Sequence, residues 1–162
     1  MRSNVMNDAI IESCLGRTWG VDVNRWGIAF GGAEKVWSIS FRKGERIDDG
    51  AVRFGIVVSE RAAAAGIKTV VMERLDGSVS FRRRLMRTQE VLAEFLRRAG
   101  VEVVFVSAAH TSDTCPYCGS RLIQGGRWAV KYCPLCDRAM NRDWVAVRNL
   151  VLNWCGGRGG RI

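Results

Sequence analysis

Four of the six cysteines stand in two CxxC pairs, Cys115-Pro-Tyr-Cys118 and Cys133-Pro-Leu-Cys136. Each turn can aim two thiolates at one ion, and the two turns together offer a closed tetrahedral shell of four sulfurs. A closed shell leaves no position for a reactant, so one structural Zn²⁺ is expected on Cys115, Cys118, Cys133 and Cys136. Without the ion this segment, rich in polar and small residues, has no core of its own. Reduced core cysteines do not account for two copies of C-P-x-C, and redox CxxC motifs rarely come paired at this separation. Such usage points to a reducing compartment, the cytoplasm, rather than to disulfides. Cys14 and Cys155 are expected to be ordinary apolar residues rather than ligands. His110, the only histidine, precedes the first pair; it reads as a strand-end polar residue, with a ligand or base role left open.

Three carboxylates form the second candidate constellation. Asp22 interrupts an apolar run, Glu73 ends another, and Asp143 follows the cysteine block at the start of a helical pattern. A carboxylate inside an apolar strand is costly unless a cation or a hydrogen bond compensates it. Brought together, the three repel one another and call for hard cations with oxygen ligands, Mg²⁺ or Mn²⁺. Two such ions roughly 4 Å apart can activate a water and stabilise the leaving oxygen of a phosphodiester. Plainer readings exist: Asp143 as a helix cap, Glu73 as the partner of an arginine. Asp22 is the hardest to explain otherwise.

The elements that must position these residues are legible in outline. Residues 1–17 show no clear period and form an N-terminal arm or short helix. Thr18 to Val23, Trp26 to Phe30 and Lys35 to Phe41 read as three short strands, the first two joined by a turn at Asn24-Arg25. Gly44 to Asp49 reads as a loop. Ala51 to Ala65 is a helix with Val52, Ile56 and Ala63 on its apolar face, stopped at Gly66. Thr69 to Met72 is a strand. Phe81 to Ala99 is a helix with a stripe of Leu85, Leu92, Phe95 and Leu96, ending at Gly100. Val101 to Val106 is a strand, and Asp143 to Trp154 a last amphipathic helix with Val147, Leu150, Val151 and Trp154. Strands alternating with helices in the second half imply parallel strands and crossovers. The order matches an α/β fold of the ribonuclease H-like (RuvC-type) kind: a mixed five-stranded sheet with helices, interrupted by a four-cysteine zinc ribbon. The division is an arm (1–17), a nuclease core (18–110 and 139–155), a ribbon insert (111–138) and a Gly/Arg tail (156–162). In that fold the first and fourth strands are neighbours and the last helix crosses their ends, so Asp22, Glu73 and Asp143 converge.

Composition bounds the partners. The chain has 162 residues, with 25 Lys and Arg against 16 Asp and Glu, a net charge of +9. That length suits one domain with a small insert. A pI near 9.9 favours a polyanion, most often nucleic acid. No apolar run is long enough to span a bilayer, and no membrane partner is expected.

The block Thr111-Ser112-Asp113-Thr114-Cys115-Pro116-Tyr117-Cys118-Gly119, then Cys133 and Cys136, then Asn141-Arg142-Asp143 with Asn149-Leu150, resembles the C-terminal part of TnpB (OrfB) proteins. These are transposon-associated, RNA-guided nucleases related to type V CRISPR effectors. Gly20-Val21-Asp22-Val23 resembles the first RuvC motif of that family. Val70-Val71-Met72-Glu73-Arg74-Leu75 resembles the second, and Asp143 matches the third. The resemblance covers about residues 18 to 152. It implies a RuvC-like fold, two Mg²⁺ or Mn²⁺ ions held by Asp22, Glu73 and Asp143, and DNA cleavage. The sequence departs from the pattern at Asn24 and Asp137, where the family usually has glycine, and at Val145, where it has asparagine. The stretch between the first two motifs is shorter than usual. The family's large N-terminal recognition and guide-RNA-binding region has no counterpart before residue 18. The resemblance therefore implies a nuclease lobe served by a guide RNA or a separate recognition subunit, as monomer or homodimer.

Basic residues suit such a partner. Arg82, Arg83, Arg84 and Arg87 follow Glu73 closely and are expected to track phosphates, and Arg121, Arg127 and Lys131 decorate the ribbon. Trp26, Trp37, Trp128, Trp144 and Trp154 are expected in the core, with Trp128 the best candidate for stacking on a base. The leading expectation is a metal-dependent DNA endonuclease. The alternatives are a RuvC-like Holliday junction resolvase, a non-cleaving nucleic-acid-binding relic, and a zinc-stabilised assembly subunit.

Overall fold

The computed structural model describes residues 2–75, 80–107 and 112–157. His110, Thr111 and residues 158–162 of the Gly/Arg tail lie outside them. Five strands form one mixed sheet in the order β3-β2-β1-β4-β5: β1 (Thr18–Asn24), β2 (Gly27–Gly31), β3 (Val36–Ser40), β4 (Thr69–Glu73) and β5 (Glu102–Val106). The first three form an antiparallel meander, and β1, β4 and β5 run parallel. This is the expected ribonuclease H-like arrangement, with β1 in the middle.

Period-2 alternation assigns the two faces. Trp19, Val21, Val23, Ile28, Phe30, Val70 and Met72 bury one face against α2 (Ile47–Ala64) and α3 (Ser80–Arg98). Here the structure corrects one expectation. Val52 and Ile56 are 40% and 42% exposed and Ala63 is also exposed, whereas Ala51, Phe54, Val58 and Ala62 are fully buried. The buried stripe runs through Gly55, where a Cβ would meet the Phe95 ring at 2.6 Å. The α3 stripe is as expected, with Leu85, Leu92 and Leu96 buried. Gly66 and Gly100 end their helices with φ of +70° and +79°, the left-handed conformation that glycine adopts without steric cost.

The opposite face carries Gly20, Asp22, Val71, Glu73, Val104 and Val106. It receives α4 (Arg142–Cys155) through Val147, Leu150 and Trp154. Gly20 sets how closely they approach: a Cβ there would lie 2.8 Å from the Val147 carbonyl oxygen and 3.1 Å from Leu150 Cβ.

Of the two readings left open for the N-terminus, arm or short helix, the structure has the helix, and it overturns the reading of two cysteines. Residues 2–15 form a helix, α1 (Arg2–Leu15), which lies against α4 and β1. Cys14 and Cys155, expected to be separate apolar residues, are joined by a disulfide across 141 positions, because α1 runs beside the end of α4. No helix among the described residues is long and apolar enough to cross a membrane.

The cysteine block forms a second, three-stranded antiparallel sheet, β6 (Ile123–Gln124), β7 (Val130–Cys133) and β8 (Arg138–Asn141). Leu122, Met140 and Val145 pack around Cys115 and Cys133. Val145, at the position where the asparagine is usual, is fully buried under the ribbon. Asp137 has φ 52°, which explains why a glycine is usual there. Its carboxylate accepts a hydrogen bond from the Tyr132 hydroxyl.

Candidate functional site

The register of β1 and β4 brings two of the carboxylates side by side. Thr18 pairs with Thr69 and Val21 with Met72, so Asp22 and Glu73 are the next residues of both strands at their C-terminal ends. They share the α4 face with Gly20 and Val71. The third acid comes from the first turn of α4. Asn141, not Asp143, is the helix cap: its side-chain oxygen accepts from the Asp143 and Trp144 backbone N–H groups at 2.8 and 3.1 Å. That leaves the Asp143 carboxylate free of capping and aimed from the helix start.

Electrostatics show the convergence. The Asp22 pKa is pushed up from 3.8 to about 6, first by burial, then by the negative charge of Asp143 and of Glu73. The Arg142 cation and a side-chain hydrogen bond with Asn24 act the other way. Burial also raises the Asp143 pKa, against the pull of Arg142. A polar cavity of about 540 Å³ opens at this point, lined by Asp22, Asn24, Arg25, Trp26, Glu73, Leu75, Ser112, Trp128 and Arg142, among others.

Several residues hold the site in roles that the sequence reading did not assign. Asn24 accepts the Trp26 and Gly27 backbone N–H groups at 2.9 and 3.1 Å, forming the Asx turn that closes the β1–β2 hairpin. Buried Gln89 on α3 donates its amide to the Glu73 carbonyl at 2.6 Å and fixes the end of β4. Arg25 and Arg142 put guanidinium groups into the cavity wall. Buried Asn149 donates to the Thr114 carbonyl at 2.8 Å, tying α4 to the ribbon. A residue flanking each acidic motif was the available signal for Asn24, Arg25 and Arg142; Gln89 left none.

The cysteine site meets a geometric test for zinc. The Sγ atoms of Cys115, Cys118, Cys133 and Cys136 all lie within 4.8 Å of one another. Cys115 and Cys136 are 3.9 Å apart, Cys118 and Cys133 3.6 Å. A tetrahedral shell with Zn–S bonds of about 2.3 Å has edges of about 3.8 Å. The Ser120 hydroxyl lies 3.2 Å from the Cys133 sulfur and pulls its pKa down to about 6, while the neighbouring Cys118 thiol and burial push that of Cys136 up to about 12 and burial raises that of Cys115; four thiolates packed this closely need a cation between them. Among the described residues this is the one group of three or more His, Cys, Asp and Glu with ligand atoms so close. The three carboxylates are spaced more widely.

The expected basic residues are not equivalent. Arg82, Arg83, Arg84, Arg121 and Arg127 are exposed. Arg83 and Arg84 border a shallow groove with Arg46 and Arg87. Arg87 is already paired with Asp48 at 3.1 Å and Glu90 at 3.6 Å, and Lys131 with Asp113 at 3.1 Å. Of the five tryptophans expected in the core, Trp26 and Trp128 are 54% and 60% exposed.

Fold and site together define a RuvC-like domain with a zinc ribbon inserted before its last acidic helix. Residues 86–150 match the family Cas12f1-like, TNB domain. A TnpB-like protein of Methanocaldococcus jannaschii, MJ0751, is 36% identical over 78 residues, covering 45% of this chain and 28% of that protein. A putative transposase of the same organism, MJ0856.1, is 40% identical over 65 residues, covering 35% of this chain and 60% of that one. The chain thus spans less than two thirds of either relative. Among solved structures, a Cas12f1–sgRNA–target DNA complex superposes with a TM-score of 0.65 at 18% identity, over 82% of this chain and 49% of that one. Thermus thermophilus RuvC bound to a Holliday junction superposes with a TM-score of 0.55 at 10% identity, over 90% and 98%. Residues 86–150 thus match the TNB domain of Cas12f1-like proteins, the fold is RuvC-like, and the sequence is similar to TnpB-type proteins.

Proposed function

We propose that this chain is a Mg²⁺- or Mn²⁺-dependent DNA endonuclease, a TnpB-like nuclease lobe that acts with a guide RNA or a recognition subunit. The observation that supports the reading is that Asp22 and Glu73 line one cavity from neighbouring strands, while Asp143, from the first turn of α4, is near enough to raise the Asp22 pKa. The donor set is oxygen only, which suits hard cations. When bound, the cations lower the pKa of water and neutralise charge on the leaving 3′ oxygen.

The chain's own residues do the rest. Asp22, at the centre of the sheet, would hold a cation as its carboxylate, and Arg142 and Asn24 favour that ionised form. Gln89 holds the β4 end that carries Glu73, and Asn141 holds the helix turn that carries Asp143. Arg82, Arg83, Arg84, Arg121 and Arg127 offer exposed cations for a phosphate backbone, while Arg87 and Lys131 contribute less because acidic side chains already hold them. The zinc ribbon braces the start of α4 through Val145 and Asn149. The test is cleavage of end-labelled single- and double-stranded DNA with Mn²⁺, Mg²⁺ or chelator. Metal-dependent cutting that Asp22→Ala abolishes is expected; no cutting by zinc-loaded protein, alone or with bound RNA, contradicts the reading.

A second reading, a Holliday junction resolvase, is favoured by the superposition that spans nearly all of the RuvC chain. It predicts a homodimer that cuts four-way junctions symmetrically. The ribbon and the two TnpB-type relatives favour the first reading.

A further inference from the structure

Two large aromatic side chains face solvent at the mouth of the acidic cavity. Trp26 sits on the β1–β2 turn, and Trp128 on the loop that precedes β7 in the ribbon. They come from segments about a hundred residues apart and meet with ring centroids 6.5 Å apart and planes inclined at 46°. Each keeps more than half of its surface in water. A tryptophan that served only to join ribbon and core would bury its ring, since the apolar area is the source of its stabilisation. These two do not.

Each ring also carries a cation. The Arg25 guanidinium lies 4.5 Å from the Trp26 centroid, and that of Arg142 6.0 Å from Trp128. An aromatic face beside a guanidinium matches the two halves of a nucleotide, base and phosphate. A base held between parallel rings needs about 7 Å, twice the 3.4 Å stacking rise of DNA. In the structure the two inclined rings touch each other and leave no slot between them, so a base enters only when the exposed Trp128 ring swings away from Trp26.

We propose that Trp26 and Trp128 form a clamp for one unpaired base of a single DNA strand, next to the phosphate that the acidic cavity receives. The proposal rests on the nuclease reading for its substrate and adds a selectivity to it. A base inside a duplex has both faces stacked and its edge paired, so only an unpaired base can enter. The clamp is indifferent to sequence, because every base offers a flat face. It makes the site selective for single-stranded over paired DNA, and it couples the ribbon to the core through the substrate.

The test is equilibrium binding in magnesium-free buffer, using full-length zinc-loaded protein with Asp22→Asn to prevent cutting. The probes are a fluorescein-labelled twenty-nucleotide oligo(dT), its duplex with oligo(dA), and an oligomer of equal length built only from abasic nucleotides. Oligo(dT) should bind more tightly than the other two. Trp128→Ala and Trp26→Ala should each weaken oligo(dT) binding roughly 5- to 150-fold, the range for one lost stacking contact, and leave abasic binding unchanged. Trp128→Phe should restore most of the loss. Equal affinity of the parent for oligo(dT) and the abasic oligomer overturns the clamp and requires no variant to fold. A Trp128→Ala loss shared by the abasic probe overturns it too, as a general loss of structure. The nuclease reading fails separately: base-dependent binding in a protein whose Asp22 form never cuts would leave the clamp and remove the enzyme.

Discussion

In the metal-free protein, Asp22 holds its proton to a pH of about 6 instead of 3.8, mainly because burial disfavours the charge and Asp143 and Glu73 repel it. In the unfolded chain it ionises near the ordinary value. Between those two pH values the unfolded state releases the proton while the folded state keeps it, so folding stability falls as pH rises and levels off above about pH 6. A rise of about two pH units, at about 1.4 kcal/mol each, costs the folded state about 3 kcal/mol at pH 7 to 8. Asp22→Asn is neutral at every pH and escapes that cost. The variant is therefore expected to be more stable than the parent by about 3 kcal/mol at pH 8, roughly 6 to 12 °C in Tm for a domain of this size. At pH 5 the gain should shrink to about half. Urea unfolding of zinc-loaded protein at both pH values, without magnesium, measures it. Added Mg²⁺ or Mn²⁺ should then stabilise the parent and not the variant. A variant less stable than the parent, or a gain equal at pH 5 and pH 8, would refute the reasoning.

Other perturbations reach the scaffold around the site. Gly20→Ala places a methyl 2.8 Å from the Val147 carbonyl; it should cost about 1–3 kcal/mol in urea unfolding and lower metal-dependent cutting by shifting Asp143. Cys133→Ser should bring bound zinc, measured by plasma mass spectrometry, from about one ion per chain to none. Hydrogen exchange should then show lost protection across residues 112–141 and retained protection in the five-stranded sheet. Cys155→Ser opens the loop closed by the disulfide between Cys14 and Cys155, 141 positions apart. The loop-entropy relation gives at most about 5 kcal/mol for that length, so the urea midpoint should fall clearly while zinc content stays unchanged. An unaltered midpoint would show that α1 adds nothing to the fold.

The sheet and its acids were readable because strand alternation places Gly20 and Asp22 on one face, and the parallel register of β1 and β4 follows from the chain order. The zinc ligands were readable because thiolate spacing is a local property. The α2 face was not. Val52, Ile56 and Ala63 form a helical stripe as plausible as Ala51, Phe54, Val58 and Ala62. What decides between them is the fit of Phe41 and Phe95 against Gly50 and Gly55, a tertiary fact. The ribbon strands are two to four residues long, too short for any period, and arise from the cysteine geometry. The turn at Asn24-Arg25 was legible, but Trp26 read as the start of the next strand because the Asn24 side chain holds the Trp26 and Gly27 N–H groups and extends the turn by one residue. The link between Cys14 and Cys155 depends on where α1 docks, which no local pattern records.

The central claim is that Asp22, Glu73 and Asp143 jointly hold the catalytic cations. Crystals grown with Mn²⁺ and measured at the manganese absorption edge test it most directly. The account predicts two anomalous peaks roughly 4 Å apart, in contact with those three carboxylates and separate from the zinc peak among the four cysteines. Loss of both manganese peaks is predicted in Asp22→Asn. Zinc in the ribbon with no manganese at the three carboxylates would contradict it.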